Sequence, residues 1–255
     1  MGQLSGRFAL VTGASQGIGR AIALEYYKEG AQVAIHFRGA ENLKDAESLA
    51  AEMASYDSGN GRPLLVSGDV STEAGSKQIV DTVLESWGRI DIIVNNAGIM
   101  TQSEIVDMPV AMWDETIAVD LRGTFLMNHW VLPGMIARRW GRIINIASQL
   151  GQIGGKRLAH YSAAKAGVIG YTKAVAREIS QYNVTINCIA PGPINTTFMD
   201  VLPDEWKVQK TAELPLGRFG DPREVAPTAV LLASDPGGNL YTGQTLGPNS
   251  GDVML

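Results

Sequence analysis

The sequence predicts an α/β fold, with one doubly wound parallel sheet between two helical layers in a single domain spanning residues 1–255. Three observations carry that reading. Short apolar runs alternate with helical stretches along the whole chain, a pattern that requires crossover connections and parallel strands. The first run passes through a glycine-rich turn directly into a helix. The 255 residues are 45% hydrophobic and 18% charged, enough for one large core, and no repeat, linker or low-complexity segment divides them.

Arg7-Phe8-Ala9-Leu10-Val11 reads as the first strand, and helical periodicity begins at Arg20. Between them lies Thr12-Gly13-Ala14-Ser15-Gln16-Gly17-Ile18-Gly19. Strand, glycine turn and helix together form the setting in which a diphosphate rests on a helix N-terminus. Gly13 permits the tight turn, Gly17 lets a ligand approach the backbone, and Gly19 lets the helix pack on the strand. The G-x-x-x-G-x-G spacing differs from the better-known G-x-G-x-x-G fingerprint. Gln32 to Phe37 is the second strand. In such units an acid at the strand end commonly holds the ribose 2′-hydroxyl of NAD. Here Phe37 stands at that place and Arg38 follows, with no adjacent acid to repel a 2′-phosphate. The pattern favours NADP with NAD still usable. Against it stand the neutral Gln16 and the nearby Glu41, which could occupy Arg38.

An alanine-rich helix is expected over about 41–56, a turn at Ser58-Gly59-Asn60-Gly61 and a third strand at 63–67, ending in Gly68-Asp69-Val70. Ser71-Thr72-Glu73 caps a helix that runs to about Trp87. The fourth strand, 90–94, is closed by Asn95-Asn96-Ala97-Gly98, at the sheet edge where ligands of this architecture gather. A long helix over about 110–138 follows Pro109, then a fifth strand, Gly141 to Ala147, leading into Ser148. Tyr161 opens a second long helix to about Tyr182, and the sixth strand, Val184 to Ala190, ends in Pro191-Gly192-Pro193-Ile194-Asn195-Thr196. Residues 195–220 carry Phe198, Met199, Leu202 and Trp206, broken by Pro203 and Pro215. They read equally as a substrate lid and as a permanently docked helical excursion. Asp221-Pro222 starts another helix, and a short strand is expected at 244–246.

Tyr161 and Lys165 are four residues apart, so a helix places them one turn apart on one face. A free tyrosine, with a pKa of roughly 10, is a poor acid or base at neutral pH. An adjacent ammonium favours the phenolate and lowers that value.

Taken in order, Thr12-Gly13-x-x-x-Gly17-Ile18-Gly19, Asn95-Asn96-Ala97-Gly98, Ser148 thirteen residues before Tyr161, Tyr161-x-x-x-Lys165 and Pro191-Gly192 resemble the short-chain dehydrogenase/reductase family, in its compact single-domain branch, over nearly the whole chain. The resemblance implies a Rossmann-type fold, NAD(P)-dependent interconversion of an alcohol and a ketone, and a homotetramer. It implies a catalytic set of Ser148, Tyr161 and Lys165. It also implies cofactor contacts from Gly13, Ser15, Gln16, Gly17, Ile18, Gly19, Phe37, Arg38, Asp69, Val70, Asn95, Ala97, Gly98, Tyr161, Lys165, Pro191, Gly192, Ile194 and Thr196. In that scheme Tyr161 exchanges the proton, Ser148 binds the same oxygen, and Lys165 lowers the Tyr161 pKa and holds the nicotinamide ribose. One position departs from the family. Where a V-N-x-x-G asparagine usually helps bind a relay water, this chain has Val119-Asp120-Leu121-Arg122-Gly123. Asp120 keeps an oxygen acceptor, loses the amide donor and gains charge. It is expected in the relay, either ordering a water to Lys165 or attracting Lys165 and opposing its effect on Tyr161.

The substrate pocket is expected to draw on Gln149, Gln152, Ile153, His160, Met199 and Trp206, whose polar and apolar cues conflict. A small alcohol, ketone or polyol is the first reading and a 3-oxoacyl thioester on a carrier protein the second. The second would favour basic residues at the cleft mouth, with Arg138, Arg139 and Arg142 as candidates. A dinucleotide-binding sensor without turnover would need a broken catalytic set, which this chain does not have. An epimerase or dehydratase relative would usually carry a larger C-terminal domain. The net charge of −5 advertises neither nucleic acid nor anionic lipid, and no metal ligands are assigned. No N-terminal leader pattern and no apolar run of roughly 18 residues is seen, so a cytoplasmic protein is expected. Cys188, the single cysteine, reads as a small core residue. The helices at 110–138 and 158–181 carry more apolar surface than one sheet face should bury, which points to oligomerisation through them.

Overall fold

The computed structural model describes residues 2–56, 59, 61–200 and 202–254. Ser58 and Asn60 of the expected turn lie outside the described residues. Among the described residues seven parallel strands make one sheet: β1 (Phe8–Val11), β2 (Gln32–Phe37), β3 (Leu64–Ser67), β4 (Ile92–Asn95), β5 (Gly141–Ile146), β6 (Val184–Ile189) and β7 (Thr245–Leu246). Their order is β3-β2-β1-β4-β5-β6-β7, with Leu10 of β1 opposite Ile93 of β4. The winding reverses between β1 and β4, and that reversal opens a crevice beyond their carboxyl ends.

The helices are α1 (Gly17–Lys28), α2 (Leu43–Ala54), α3 (Glu73–Trp87), α4 (Val110–Thr116), α5 (Gly123–Arg138), α6 (Leu150–Ile153), α7 (Ala159–Ile179), α8 (Asp204–Glu213) and α9 (Pro222–Ala233). Strands covered on both faces must be apolar throughout, which is why β5 and β6 are buried at every position. On one face Ile22, Tyr26, Ile35 and Val225 join α1 and α9 to the sheet. On the other, Ile79, Val83, Met127, Ile143 and Ile186 do the same for α3 and α5. Each such side chain contributes roughly 1.5–3 kcal/mol by leaving water. Helix ends follow the sequence chemistry. The Thr72 hydroxyl accepts from Gly75 N at 3.0 Å, and Gly88 closes α3 in the left-handed region. Asp221 and Glu224 form a reciprocal capping box around Pro222.

The expected strands hold, with later starts at β1, β3, β4 and β7 and earlier ends at β5 and β6. Asp91 precedes β4 because its carboxylate accepts from Phe8 N at 3.0 Å and pairs with Arg89 at 2.9 Å. The long helix after Pro109 is not one regular α-helix. A π-helical segment, Ile117–Arg122, widens it between α4 and α5. Residues 195–220 leave and return at one point, where Asn195 N donates to Gly220 O and Gly220 N to Pro193 O, at 2.8 and 2.9 Å. Among the described residues, no helix is long and apolar enough to cross a membrane.

Candidate active site

The carboxyl ends of the strands wall a cavity of about 520 Å³. On its β1 side Gly13 and Gly17 sit at φ +60° and +57°, where L side chains are strained, and a Cβ on Gly13 would come within 2.9 Å of Ala97 Cα. Thr12 Oγ1 accepts from the N–H groups of Asn96 and Ala97 at 2.9 and 3.0 Å. Asn96 Nδ2 donates to Thr12 O and Gly13 O, both at 3.0 Å. The two turns at the winding reversal are thereby stapled together. His36 braces the same loop from β2. Its Nδ1 accepts from Gly13 N at 3.1 Å, which leaves the Nε2 proton to donate to Gly68 O at 3.1 Å. Burial pushes its pKa down to about 4, against the Gly68 bond and the Asp69 charge, so the ring is neutral. Thr12, Asn96 and His36 had no expected role. A lone histidine inside an otherwise apolar strand was the available signal.

The expected cofactor residues divide. Gly13, Ser15, Gln16, Gly17, Ile18, Phe37, Arg38, Asp69, Val70, Ala97, Gly98, Pro191, Gly192, Ile194 and Thr196 line the cavity. Gly19 does not. A Cβ there would fall 2.4 Å from Gly13 O, so its part is the packing of α1 on the loop. Asn95 does not either. Its amide is turned into the core and donates to Asn128 Oδ1 and Asn145 Oδ1 at 2.7 and 2.8 Å, leaving Asn96 at the cavity. The expectation that Arg38 has no acid beside it is also corrected. Its guanidinium lies 3.7 Å from Asp69, delivered by the neighbouring strand, while Glu41 folds back against Gly39. Burial alone would raise the Asp69 carboxyl, but hydrogen bonds from Ser71 and the Arg38 charge hold it below the usual range.

These residues fit a nicotinamide dinucleotide. The first turn of α1 has no side-chain cap on its N–H groups, and the glycines leave the space a Cβ would fill. Among the described residues, no group of three or more His, Cys, Asp or Glu is placed to hold a metal ion.

Ser148 follows β5, and α7 presents Tyr161 and Lys165 to it. Gly151 lets α6 rest directly on α7, since a Cβ there would lie 2.7 Å from Lys165 C. Lys165 Nζ sits 5.5 Å from the Tyr161 ring centre and donates to Ile146 O at 3.0 Å. The expected lowering of the Tyr161 pKa by Lys165 is present but outweighed, and the net shift is upward. Burial pushes the phenol up, Lys165 and a hydrogen bond with Ser148 pull it down, and Asp120 adds to the rise. Asp120 is closed off from the cavity. Of the two expected outcomes, the structure has the second: the carboxylate pairs directly with Lys165 at 3.1 Å and opposes its effect on Tyr161.

On the substrate side Gln149, Ile153, Met199 and Trp206 line the cavity. Gln152 and His160 do not. His160 is buried against Thr101, its Nε2 2.9 Å from the hydroxyl. Arg138, Arg139 and Arg142 are likewise misplaced for a cleft mouth. Arg142 is the second residue of β5, beside Ile92 and Thr185 at the opposite edge of the sheet, and its guanidinium stacks 4.5 Å from the Trp140 ring centre. Besides Arg38 and Lys165, the basic groups on the cavity wall among the described residues are Lys156 and Lys210. Cys188 is fully buried, as expected of a core residue.

The family described as enoyl-(acyl carrier protein) reductase matches residues 13–251. The chain is 42% identical over 254 residues to the 3-oxoacyl-(acyl-carrier-protein) reductase FabG of Vibrio cholerae, covering 99% of each chain. It is 39% identical over 256 residues to the FabG of Thermotoga maritima, covering 99% of this chain and 100% of that one. Among solved structures, a short-chain type dehydrogenase/reductase from Mycobacterium marinum matches with a TM-score of 0.92 at 32% identity, over 99% of this chain and 98% of that one. A candidate NAD(P)-dependent gluconate 5-dehydrogenase from Beutenbergia cavernae, solved with NADP bound at low occupancy, matches with a TM-score of 0.91 at 34% identity, over 98% of both chains.

Proposed function

The chain belongs to the short-chain dehydrogenase/reductase family, and from that premise we propose that it reduces the 3-oxo group of an acyl thioester to a hydroxyl. As a family member it is an NAD(P)-dependent oxidoreductase interconverting an alcohol and a ketone. One observation carries the substrate choice: whole-length relatives at 42% and 39% identity are both 3-oxoacyl-(acyl-carrier-protein) reductases. That favours the thioester over the small substrate ranked first from residues alone. The cavity wall beyond Tyr161 supports it, since Ile153, Phe198, Leu202 and Trp206 suit an acyl chain, and Lys156 supplies a basic group where a carrier-borne arm would enter.

The bound nicotinamide supplies the hydride. Tyr161 gives its hydroxyl proton to the substrate oxygen as negative charge appears there. Ser148 donates a hydrogen bond to the same oxygen. Lys165 steadies the phenolate and holds the nicotinamide ribose. The uncapped start of α1, with Gly17, takes the diphosphate. NADP is the preferred partner, through Arg38 on the 2′-phosphate, with NAD accepted. A second reading, oxidation of a gluconate-like polyol, is favoured by the Beutenbergia cavernae structure.

The chain is proposed to form a homotetramer through α4–α5 and α7, where Val110, Trp113 and Phe125 are exposed. Light scattering showing a monomer at micromolar concentration would refute that. A cytoplasmic setting fits a nicotinamide-dependent reductase. The substrate test compares kcat/KM for a 3-oxoacyl thioester, gluconate and simple ketones with both cofactors. The thioester with NADPH should lead by about tenfold or more, equivalent to about 1.4 kcal/mol. A lead for gluconate would replace this reading with the second.

A further inference from the structure

Asp120 sits in the π-helical segment with no exposed surface. Its Oδ1 accepts from Ile99 N at 2.9 Å, and its Oδ2 faces Lys165 Nζ at 3.1 Å. Gly98 makes room for the pair. A Cβ at that position would come within 3.0 Å of Oδ2 and 3.4 Å of Nζ. The widened π turn therefore brings a carboxylate under the catalytic helix, where it meets the ammonium from the side away from the cavity.

The titratable groups around this pair are few. From α7 come Tyr161, Lys165 and His160; from β6, Cys188; and Ser148 lies at the end of β5. His160 is held neutral, since burial lowers its pKa against the Asp120 charge. Burial pushes the Cys188 thiol up to about 11, so it too is neutral. Burial raises the Asp120 carboxyl against the Lys165 charge and the bond from Ile99 N, and the Asp120–Lys165 pair is what remains to act on the phenol.

We propose that Asp120 is a positioning residue that cancels the Lys165 charge at Tyr161 and keeps the phenol protonated, fitting the resting site to reduce a carbonyl rather than to oxidise an alcohol. The proposal rests on Tyr161 being the proton donor. In reduction the Tyr161 O–H bond breaks and its proton passes to the carbonyl oxygen. The phenolate left behind regains a proton from solvent. In oxidation the phenolate must exist before the alcohol is bound, to take its hydroxyl proton. An ammonium acting alone would favour phenolate at rest, and the carboxylate 3.1 Å away removes that bias. Burial in turn would lower the Lys165 pKa, but Asp120 and Tyr161 outweigh it, so the lysine stays charged as the counter-ion of Asp120. The equilibrium between ketone and alcohol is unchanged. What Asp120 sets is the pH at which each direction runs.

The test is an ultraviolet phenolate titration of the cofactor-free protein, with the same titration of Tyr161→Phe subtracted to isolate Tyr161. In the native protein Tyr161 should titrate above the ordinary value of about 10. Asp120→Asn keeps the size and the acceptor for Ile99 N, and should bring that titration down by about one pH unit. The pH dependence of alcohol oxidation should move down with it, giving about tenfold faster oxidation at neutral pH, one pKa unit being tenfold in phenolate. A native titration at or below 10, or an unmoved titration in Asp120→Asn, overturns the proposal. If Asp120→Asn does not fold, the same titration of Asp120→Ser, which also removes the charge and keeps an oxygen, decides by the same downward shift. Turnover surviving in Tyr161→Phe would instead sink the proton-donor reading, while the titrations still report on Asp120.

Discussion

The two halves of the cavity are built differently. The half at β1, β2 and β4 is made of strand ends and tight turns bonded to one another, with the N–H groups at the start of α1 left open. Thr12 and Asn96 lock one turn to the next, and His36 holds Gly13 against Gly68. The half beyond Ser148 is made of a four-residue helix and an excursion closed at its neck, both braced by the C-terminal tail through Asp252. Helix α8 in that excursion has no buried residue. Its attachment runs through Leu202, Leu214 and Phe219, which are buried, and through Lys210, which pairs with Asp252 at 2.7 Å while Asp252 accepts from Gln149 Nε2. A preformed half suits a cofactor whose shape never varies. A lightly tethered half suits a substrate that must enter and leave, and it can change without unsettling the sheet.

Tyr161 stands at the seam, and the largest effect belongs there. Tyr161→Phe removes only the hydroxyl. Turnover should fall by about 10²–10⁴-fold or more, while the cofactor dissociation constant stays unchanged. Near-normal turnover would end the mechanism. A matching loss of cofactor binding would show that the two halves are not separable at this residue.

His36 tests the rigidity of the first half through acid stability. Its folded pKa, about 4, lies below the unfolded value near 6.5. Between these values the unfolded chain binds the proton and the folded chain does not. Stability is therefore fully present above pH 6.5, falls as pH drops toward 4, and levels off below. The span of about 2.5 units corresponds to about 3 kcal/mol. His36→Gln, which cannot titrate, should flatten that part of the denaturation-versus-pH curve. An unchanged slope would mean that the ring is not clamped neutral between Gly13 and Gly68.

The same contrast governs what the sequence disclosed. Strand runs, the glycine turn and the Tyr161–Lys165 spacing follow from local periodicity, and the neck of the 195–220 excursion falls where the composition changes. Facts set by one residue's rotation about the chain were not legible. Asn95 and Asn96 are neighbours, and the pleat sends one into the core and the other to the loop. Asp69 and Arg38 meet because β3 ends beside β2, a register no local pattern specifies. His160 was expected in the pocket, yet it adjoins Tyr161 on α7, and on a helix adjacent residues face different ways. The π segment was hidden because its composition matches that of an ordinary amphipathic helix.

Arg38→Ala asks whether the first half also chooses the cofactor. Native preference for NADP is expected at about tenfold, the size of one charge-assisted contact after part of its strength is spent on Asp69. The variant should lose that factor for NADP and leave kcat/KM with NAD unchanged. Equal use of both cofactors by the native protein would mean that Asp69 keeps Arg38 from the phosphate.

The smallest effect should come from the tether of the second half. Asp252→Asn keeps the size but removes the charge that faces Lys210. The side chains are 17% and 10% exposed, between a surface pair and a buried one, so about 1 kcal/mol is at stake. That is about a fivefold change in the balance between docked and undocked α8. Hydrogen exchange of the α8 amides should quicken and the substrate KM should rise by about that factor, with cofactor affinity unmoved. The same helix carries its own control. Lys207 pairs with Asp204 at 3.3 Å, but the Asp204 side chain is 93% exposed, and such a pair is worth between nothing and about 1 kcal/mol. Asp204→Asn should therefore leave both exchange and KM as they were. If both substitutions act alike, α8 responds to charge in general and Asp252 is no tether. If neither acts, the second half of the cavity is held as firmly as the first, and the difference between them is one of shape alone.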